Sequence, residues 1–133
     1  MMRASGILLP ISSIPSNYGI GCFSKEAYAF VDQLAEAGQK YWQILPLGPT
    51  GYGDSPYQSF STFAGNPYFI DLEELIQRDL LTAAECAECD WGGSKSYVDY
   101  EKVYLSRFSL LRKAYRRFYQ MDGKEKELQL IRE

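Results

Sequence analysis

The sequence predicts an α/β fold, because two short apolar segments are separated by an amphipathic helix. Residues 6–11 (GILLPI) and residues 41–46 (YWQILP) are apolar runs near turn residues, which is typical of buried strands. Between them, small and apolar side chains recur at helical spacing: Ala27, Phe30, Val31, Leu34 and Ala37. A strand, a helix and a second strand within about forty residues indicate a βαβ unit with parallel strands and a right-handed crossover.

Start and stop signals delimit the predicted helices. Ser24 is a candidate N-cap for the first helix, and Gly38 is its C-terminal stop. After the second strand, Asp71 is placed to cap a short helix, and Thr82 opens a capping-box sequence before another. Asp99 is predicted to cap a long helix. Its apolar stripe consists of Tyr104, Phe108, Leu111, Tyr115 and Phe118.

A long loop follows the second strand at residues 48–66 (GPTGYGDSPYQSFSTFAGN), here named the aromatic loop. Loops of this length inside a compact domain are commonly either disordered or functional. Four of its residues are aromatic and only Asp54 is charged, a composition that argues against disorder. Aromatic rings beside hydroxyls and an amide suit a neutral, hydroxyl-rich ligand such as a sugar. The loop also leaves the strand end at which α/β folds bind ligands.

The composition and spacing of the aromatic loop allow two other interpretations. Its spacing from Gly48 to Gly53 is close to that of a phosphate-binding P-loop, but Asp54 occupies the place of the lysine and would repel phosphate. Pro49 and Pro56 also remove two backbone donors, so nucleotide binding is disfavoured. The remaining alternative is a structural plug, with the tyrosines of the loop packed under an adjoining segment.

Composition excludes several classes of protein. The 133 residues suit one domain, and a net charge of −3 gives no sign of a nucleic-acid-binding surface. No apolar run approaches the roughly 18–20 residues of a membrane span, and no signal peptide is evident, so a cytoplasmic location is predicted. Three cysteines argue against a disulfide framework. Cys86 and Cys89 form a Cys-x-x-Cys pair, but the chain has no histidine and too few ligands for zinc, so no metal site is predicted.

Four segments resemble the N-terminus of the 4-α-glucanotransferases, the amylomaltases or disproportionating enzymes of glycoside hydrolase family 77. These segments are residues 6–15, 17–21, 41–50 and 53–67. The resemblance implies the first βα units of a (β/α)8 TIM barrel plus a helical insertion, so that the barrel is incomplete. Residues 1–133 would then be the N-terminal part of a single catalytic domain, truncated, with no second domain.

The same resemblance implies an activity. Such enzymes transfer α-1,4-glucan segments to a sugar 4-hydroxyl without a cofactor, by a retaining mechanism with an Asp nucleophile and a Glu acid/base. Those carboxylates belong to later strands of the barrel, so no catalytic residue is expected in this chain, and the chain alone is expected to be inactive. Substrate contact does carry over: Ser55 and Tyr57 match donor-side residues, and Tyr52 matches an additional glucan-contact surface. The expected partner is an α-1,4-glucan or maltooligosaccharide.

Two further hypotheses compete with that one. The chain could be a non-catalytic glucan-binding module, or a βαβ scaffold without a ligand. Two buried parallel strands need neighbours at both edges and cover on both faces, which this chain does not supply, so the sequence indicates the beginning of something larger. The sequence does not separate a substrate-binding role from a loop-holding role for Gln58, Ser59 and Ser61.

Overall fold

The computed structural model describes residues 3–51 and 53–121 and has the α/β architecture expected from the sequence. A parallel pair of strands with one helix is followed by the aromatic loop and then by a helical region. The elements are β1 (Gly6–Leu8), α1 (Lys25–Glu36), β2 (Tyr41–Gln43), α2 (Leu72–Gln77), α3 (Ala83–Ala87) and α4 (Tyr100–Gln120), with 3-10 turns at Ile11–Ser13 and Pro67–Phe69.

The two strands pair in parallel, with Ile7 opposite Trp42 at the centre of the register. The prediction that these strands are buried is wrong for the described part of the chain. Ile7 is 40% exposed, Leu8 57% and Tyr41 68%. The physical reason is that no further strand pairs with β1 or β2 among residues 3–51 and 53–121, so the sheet lacks the neighbours that bury a parallel sheet.

The connection between the strands forms as predicted. Ser24 is the N-cap of α1, and its backbone carbonyl accepts from the N–H of Ala27 at 2.9 Å, although its side chain makes no capping bond. Gly38 ends the helix with φ of 72°, a left-handed conformation that glycine adopts without strain. The N–H of Gln39 then returns to the carbonyl of Leu34 at 2.9 Å, which satisfies one of the free carbonyls at the helix end.

All three of the predicted caps in the helical region are present. The side chain of Asp71 accepts from the N–H of Glu73 at 3.0 Å and begins α2. Thr82 and Glu85 form a reciprocal capping box at the start of α3. Asp99 accepts from the third N–H of α4 at 3.2 Å. Local hydrogen bonds therefore fix where each of these helices starts.

The buried face of α4 differs from the predicted stripe. Tyr104 and Tyr115 are 50% and 62% exposed. The fully buried positions are Val103, Arg107, Leu110 and Ala114. The predicted stripe followed the aromatic side chains, and it missed this face because one of its members, Arg107, is a charged residue that a hydrophobic pattern does not mark.

Two clusters of buried side chains hold the helical region together. The larger cluster joins α2, α3 and α4 and consists of Leu72, Leu80, Leu81, Cys86, Leu110 and Ala114. The smaller cluster joins Ile20, Tyr68 and Val103, which come from the β1–α1 connection, the second 3-10 turn and α4. Tyr68 follows the aromatic loop directly, so this cluster fixes the end of the loop to α4.

None of the described helices combines the length and the hydropathy needed to cross a bilayer.

Candidate functional site

Asn66, the last residue of the aromatic loop, closes it by bonding to the residues at its start. Its backbone N–H donates to the carbonyl of Leu47 at 3.1 Å, and its side-chain Nδ2 donates to the carbonyl of Gly48 at 3.3 Å. Further along, Thr50 and Ser59 form an antiparallel bridge. The two ends of the loop therefore lie side by side.

The turn inside the loop brings together two of the predicted site residues. Asp54 has φ of 54°, and its N–H donates to the carbonyl of Gly51 at 3.2 Å. Immediately after it, the hydroxyl of Ser55 accepts from the N–H of Tyr57 at 3.4 Å, and the carbonyl of Ser55 accepts from Gln58. Ser55 and Tyr57 thus lie in one turn. The third predicted residue, Tyr52, lies outside the described residues.

Two serine hydroxyls bond to the loop itself. Ser59 Oγ donates to the carbonyl of Ser61 at 2.7 Å, and Ser61 Oγ accepts from the N–H of Ala64 at 3.2 Å. Ser59 also lies against Gly48, where an added Cβ would be only 2.6 Å from its hydroxyl oxygen. These contacts give Ser59 and Ser61 a loop-holding role, one of the two alternatives that the sequence left open for them.

The aromatic rings of the described loop point outward. Tyr57 is 72% exposed, Phe60 77% and Phe63 99%. The structural-plug alternative requires the tyrosines to be packed under a neighbouring segment, and within residues 3–51 and 53–121 no segment covers Tyr57 in that way. The loop instead presents ring faces and short polar groups together on the surface, a combination that suits a ligand with alternating apolar and hydroxyl faces.

Asp54 lies on the inner side of the loop, near the phenols of Tyr68 and Tyr100. Burial, and then the nearby Asp54 charge, raise the pKa of Tyr68 to about 12, and the same two causes raise the pKa of Tyr100. A cavity of about 160 Å³ separates this side of the loop from the helical region. Its lining includes Thr50, Asp54, Pro56, Asn66, Tyr68 and Tyr100. Both phenols therefore stay neutral in the physiological pH range.

A larger cleft of about 970 Å³ lies between the β1–α1 connection and residues 91–100. Its lining includes neither Ser55 nor Tyr57. Within it, the hydroxyl of Tyr18 donates to Glu73 Oε1 at 2.6 Å, and the ring of Tyr18 packs edge-to-face on Trp91 with centroids 5.4 Å apart. Since these groups satisfy one another, the size of the cleft alone does not make it the functional site.

The cysteine pair has the surroundings of structural thiols. Cys86 is buried, and burial raises the pKa values of both Cys86 and Cys89. Cys89 Sγ lies 3.4 Å from the carbonyl oxygen of Glu85, to which it donates. A reactive or metal-binding cysteine requires the opposite shift, toward the thiolate. Within residues 3–51 and 53–121, no group of three acidic, cysteine or histidine side chains is arranged to hold a metal ion.

Sequence reasoning missed two residues that position the loop. Asn66 makes the closing contacts, and its one sequence signal was that it precedes a proline, as turn-forming asparagines commonly do. Arg107 is fully buried, and its Nη2 donates to the carbonyl oxygen of Ile70. No sequence pattern marked Arg107, because its partner is a backbone carbonyl on another element.

The fold and the loop define a segment of an α/β protein that presents an exposed aromatic and hydroxyl-bearing loop after a parallel strand. The family model described as 4-alpha-glucanotransferase, glycoside hydrolase family 77, matches residues 9–132, and the chain belongs to this family.

Relatives and a solved structure agree with that assignment. The chain is 56% identical over 119 residues to a 4-alpha-glucanotransferase of Streptococcus pneumoniae, covering 90% of this chain and 24% of that protein. It is 50% identical over 116 residues to the 4-alpha-glucanotransferase of Thermus thermophilus, covering 87% and 22%. The amylomaltase from Streptococcus agalactiae in complex with acarbose superposes with a TM-score of 0.91 at 42% identity, covering 98% of this chain and 26% of that one. The chain spans about a quarter of the length of the curated relatives it matches.

Proposed function

We propose that this chain is part of a 4-α-glucanotransferase that transfers α-1,4-glucan segments to the 4-hydroxyl of an acceptor sugar. The observation that carries the proposal is the exposed ring of Tyr57 beside Ser55, in a loop held closed at its base, in a chain of this family. The S. agalactiae amylomaltase was solved with acarbose, a sugar-like ligand, which supports an oligosaccharide as the substrate.

Tyr57 and Ser55 are proposed to contact the donor glucan. The Tyr57 ring is free to lie against a glucose face, while its hydroxyl reaches a sugar oxygen. The Ser55 hydroxyl accepts only a long bond of 3.4 Å from the loop, so its proton remains available to a sugar oxygen. Tyr52 is proposed to belong to a further glucan-contact surface.

The chemistry is proposed to follow the retaining scheme of two carboxylates. An aspartate attacks the anomeric carbon while a glutamic acid protonates the leaving oxygen, and the glutamate then deprotonates the 4-hydroxyl of the acceptor. Both groups are supplied by the remainder of the whole protein, a (β/α)8 barrel of which residues 1–133 form the N-terminal part. The chain itself binds and orients the donor, and no cofactor takes part. A cytoplasmic location belongs to the same proposal.

A segment exchange tests this proposal. The matching segment of the S. agalactiae amylomaltase is replaced by this chain. The superposition on which the exchange is based covers 98% of this chain and 26% of that enzyme. The chimera is expected to release glucose from maltotriose and to form longer maltooligosaccharides, whereas the chain alone is expected to release none. A chimera that unfolds cooperatively but transfers no glucan would overturn the proposal.

One observation favours a second candidate, a non-catalytic glucan-binding module. The helical region has its own buried cluster around Leu72 and Leu110, so part of this chain carries a core independent of the sheet. The module requires that the isolated chain unfold cooperatively and bind maltoheptaose in a calorimetric titration. Binding without any transfer activity in the chimera would favour this second candidate.

A further inference from the structure

We propose that Asn66 is a positioning residue, which sets the placement of Ser55 and Tyr57 by holding together the two ends of the aromatic loop. The inference rests on the proposed function in so far as it concerns glucan binding. Its structural part, that Asn66 fixes the loop, stands on the contacts of the described residues.

Asn66 uses its polar atoms on both sides of the loop base. On one side, its backbone N–H and Nδ2 donate to the carbonyls of Leu47 and Gly48, at 3.1 and 3.3 Å. On the other side, its Oδ1 accepts from the N–H of Tyr68 at 3.0 Å and caps the 3-10 turn. The residue is only 8% exposed, so these bonds form where water competes weakly. The side chain of Asn66 therefore connects the start of the loop to the 3-10 turn, and its backbone N–H adds a bond to Leu47.

The turn that Asn66 caps is attached to the helical region. Tyr68 is buried, and its ring packs on those of Tyr100 and Phe108, each with centroids 5.9 Å away. Two residues later, the carbonyl of Ile70 accepts from the guanidinium of Arg107. The C-terminal end of the loop is thus fixed to α4, and through Asn66 the N-terminal end is fixed to the same support.

The outer part of the loop has little packing of its own. Tyr57, Phe60 and Phe63 are each more than 70% exposed. Its position therefore depends on the base and on the internal bonds of Ser59 and Ser61. Because a binding group that is held in place beforehand loses less conformational freedom when the ligand binds, the fixation of the base is expected to strengthen donor binding.

The first experiment measures the order of the loop in the chimera, without any glucan. Chymotrypsin cleaves after Tyr and Phe, and the exposed loop offers it Tyr57, Phe60 and Phe63. Asn66→Ala is expected to accelerate cleavage at these sites about tenfold, which corresponds to the loss of one to two hydrogen bonds. Gln77→Ala is the matched control, because it truncates an exposed amide at the end of α2 and should leave cleavage unchanged. Equal cleavage of the Asn66→Ala and unsubstituted proteins would overturn the inference.

The second experiment measures transfer from maltotriose. Asn66→Ala is expected to raise KM about five- to tenfold with kcat nearly unchanged, because the loss concerns donor binding. Asn66→Asp keeps an Oδ1 acceptor for the Tyr68 N–H but loses the donor to Gly48. The KM of this variant is therefore expected to lie between those of the unsubstituted chimera and of Asn66→Ala. A merely structural role would lower kcat per mole of enzyme and the melting temperature while leaving KM alone, and that result would overturn the inference.

A double-mutant cycle decides whether Asn66 acts through Tyr57. In a Tyr57→Ala background, Asn66→Ala is expected to change KM clearly less than it does with Tyr57 present, since of the two groups that it positions only Ser55 remains. Additive effects of the two substitutions would overturn the proposed route. If the unsubstituted chimera transfers no glucan, the proposed function fails, while the cleavage experiment still decides whether Asn66 fixes the loop.

Discussion

The indole Nε1 of Trp42 donates to the carbonyl oxygen of Leu9 at 2.8 Å, which joins the two parallel strands just beyond the last residue of β1. The same ring packs edge-to-face on Phe30 of α1, with centroids 5.0 Å apart. Trp42 thus connects β1, β2 and α1. Because the aromatic loop begins five residues after β2 ends, at Gly48, this connection also supports the strand from which the loop departs.

Replacing Trp42 with Phe is expected to destabilise the sheet, although a smaller aromatic ring still fills most of the space of the indole. The substitution keeps an aromatic contact for Phe30 but removes the bond to Leu9. The free energy of unfolding is expected to fall by about 1 kcal/mol, the typical net contribution of one hydrogen bond, as measured by urea denaturation followed by circular dichroism.

Trp91 provides a comparison for that substitution. Its indole also donates to a carbonyl at 2.8 Å, that of Cys86, but within the helical region. Hydrogen exchange is therefore expected to accelerate at the sheet amides of Leu9 and Lys40 in Trp42→Phe and to stay unchanged there in Trp91→Phe. Equal exchange at these amides in the two variants would contradict the proposed role of Trp42.

Glu85 is expected to make the stability of the helical region depend on pH. Hydrogen bonds from Arg117, at 2.7 Å to each carboxylate oxygen, and from Lys113 hold the pKa of Glu85 well below its usual range. A lowered carboxyl pKa stabilises the fold above the ordinary value of about 4.3, and this stabilisation is lost as the pH falls below it. Glu85→Gln should lower the melting temperature at pH 7, with a difference that narrows as the pH falls below about 4.3, because the unfolded chain then takes up a proton at Glu85 that the folded chain does not.

Glu74 supplies the matched control for the Glu85 substitution. It pairs with Arg78 at 2.7 Å within one helical turn, but both side chains are about half exposed, a setting in which ion pairs contribute little. Glu74→Gln is therefore expected to change the melting temperature less than Glu85→Gln at pH 7. The reverse order in differential scanning calorimetry would refute the link that we assign to Glu85 between α3 and α4.

Tyr57 is expected to be the described residue of the loop that matters most for donor binding. In the chimera, Tyr57→Ala should raise the KM for maltotriose by about tenfold or more, because it removes both the ring and the hydroxyl. Tyr57→Phe, which keeps the ring, should have a smaller effect. Tyr28 on α1 is 71% exposed, against 72% for Tyr57, so Tyr28→Ala controls for the loss of an exposed tyrosine. Near-normal kinetics in Tyr57→Ala would remove Tyr57 from the site.

The ionisation of Tyr68 is expected to lower the free energy of unfolding in strong alkali. Its pKa is raised to about 12 in the folded chain, above the ordinary tyrosine value of about 10. Between these two pH values the unfolded chain releases this proton while the folded chain keeps it, so stability falls as the pH rises. In Tyr68→Phe the decline in the urea midpoint between pH 10 and pH 12 should be shallower.

Asp54 gives an independent check on Tyr68. Its charge is the second cause of the raised pKa, after burial. Asp54→Asn should therefore move the late part of the tyrosinate absorbance titration near 295 nm to lower pH, and the shift should vanish in concentrated urea. An unchanged late titration would mean that Asp54 lies too far from Tyr68 to influence it.

The features that the sequence predicted correctly are those encoded by neighbouring residues. Asp71, Thr82 and Asp99 each bond to an N–H within three positions, so a short pattern is enough to locate the helix starts. The βαβ order followed from hydrophobic periodicity in the same way. The donor-side role of Ser55 and Tyr57, which the family resemblance implies, stays a prediction, although the structure places both residues in one turn of the aromatic loop.

The features that the sequence did not predict depend on distant partners. Asn66 bonds to Gly48 across 18 positions, and Arg107 bonds to Ile70 across 37. The exposure of β1 likewise depends on which elements cover it and not on its own apolar composition. A single sequence gives the preferences of a residue, whereas these roles are set by what the fold brings beside it.

The close approach of Gly48 to Ser59 has a practical consequence for anyone wishing to alter the properties of this loop by directed evolution. Randomising Gly48 would introduce a Cβ at 2.6 Å from the Ser59 hydroxyl, so in most members of such a library the Ser59 side chain would have to move from the position in which it bonds to Ser61. Phe60 and Phe63 are exposed and offer positions where diversity is tolerated. The contacts at the base of the loop therefore limit substitutions there, and the exposed outer positions of the loop are the better choice for randomisation.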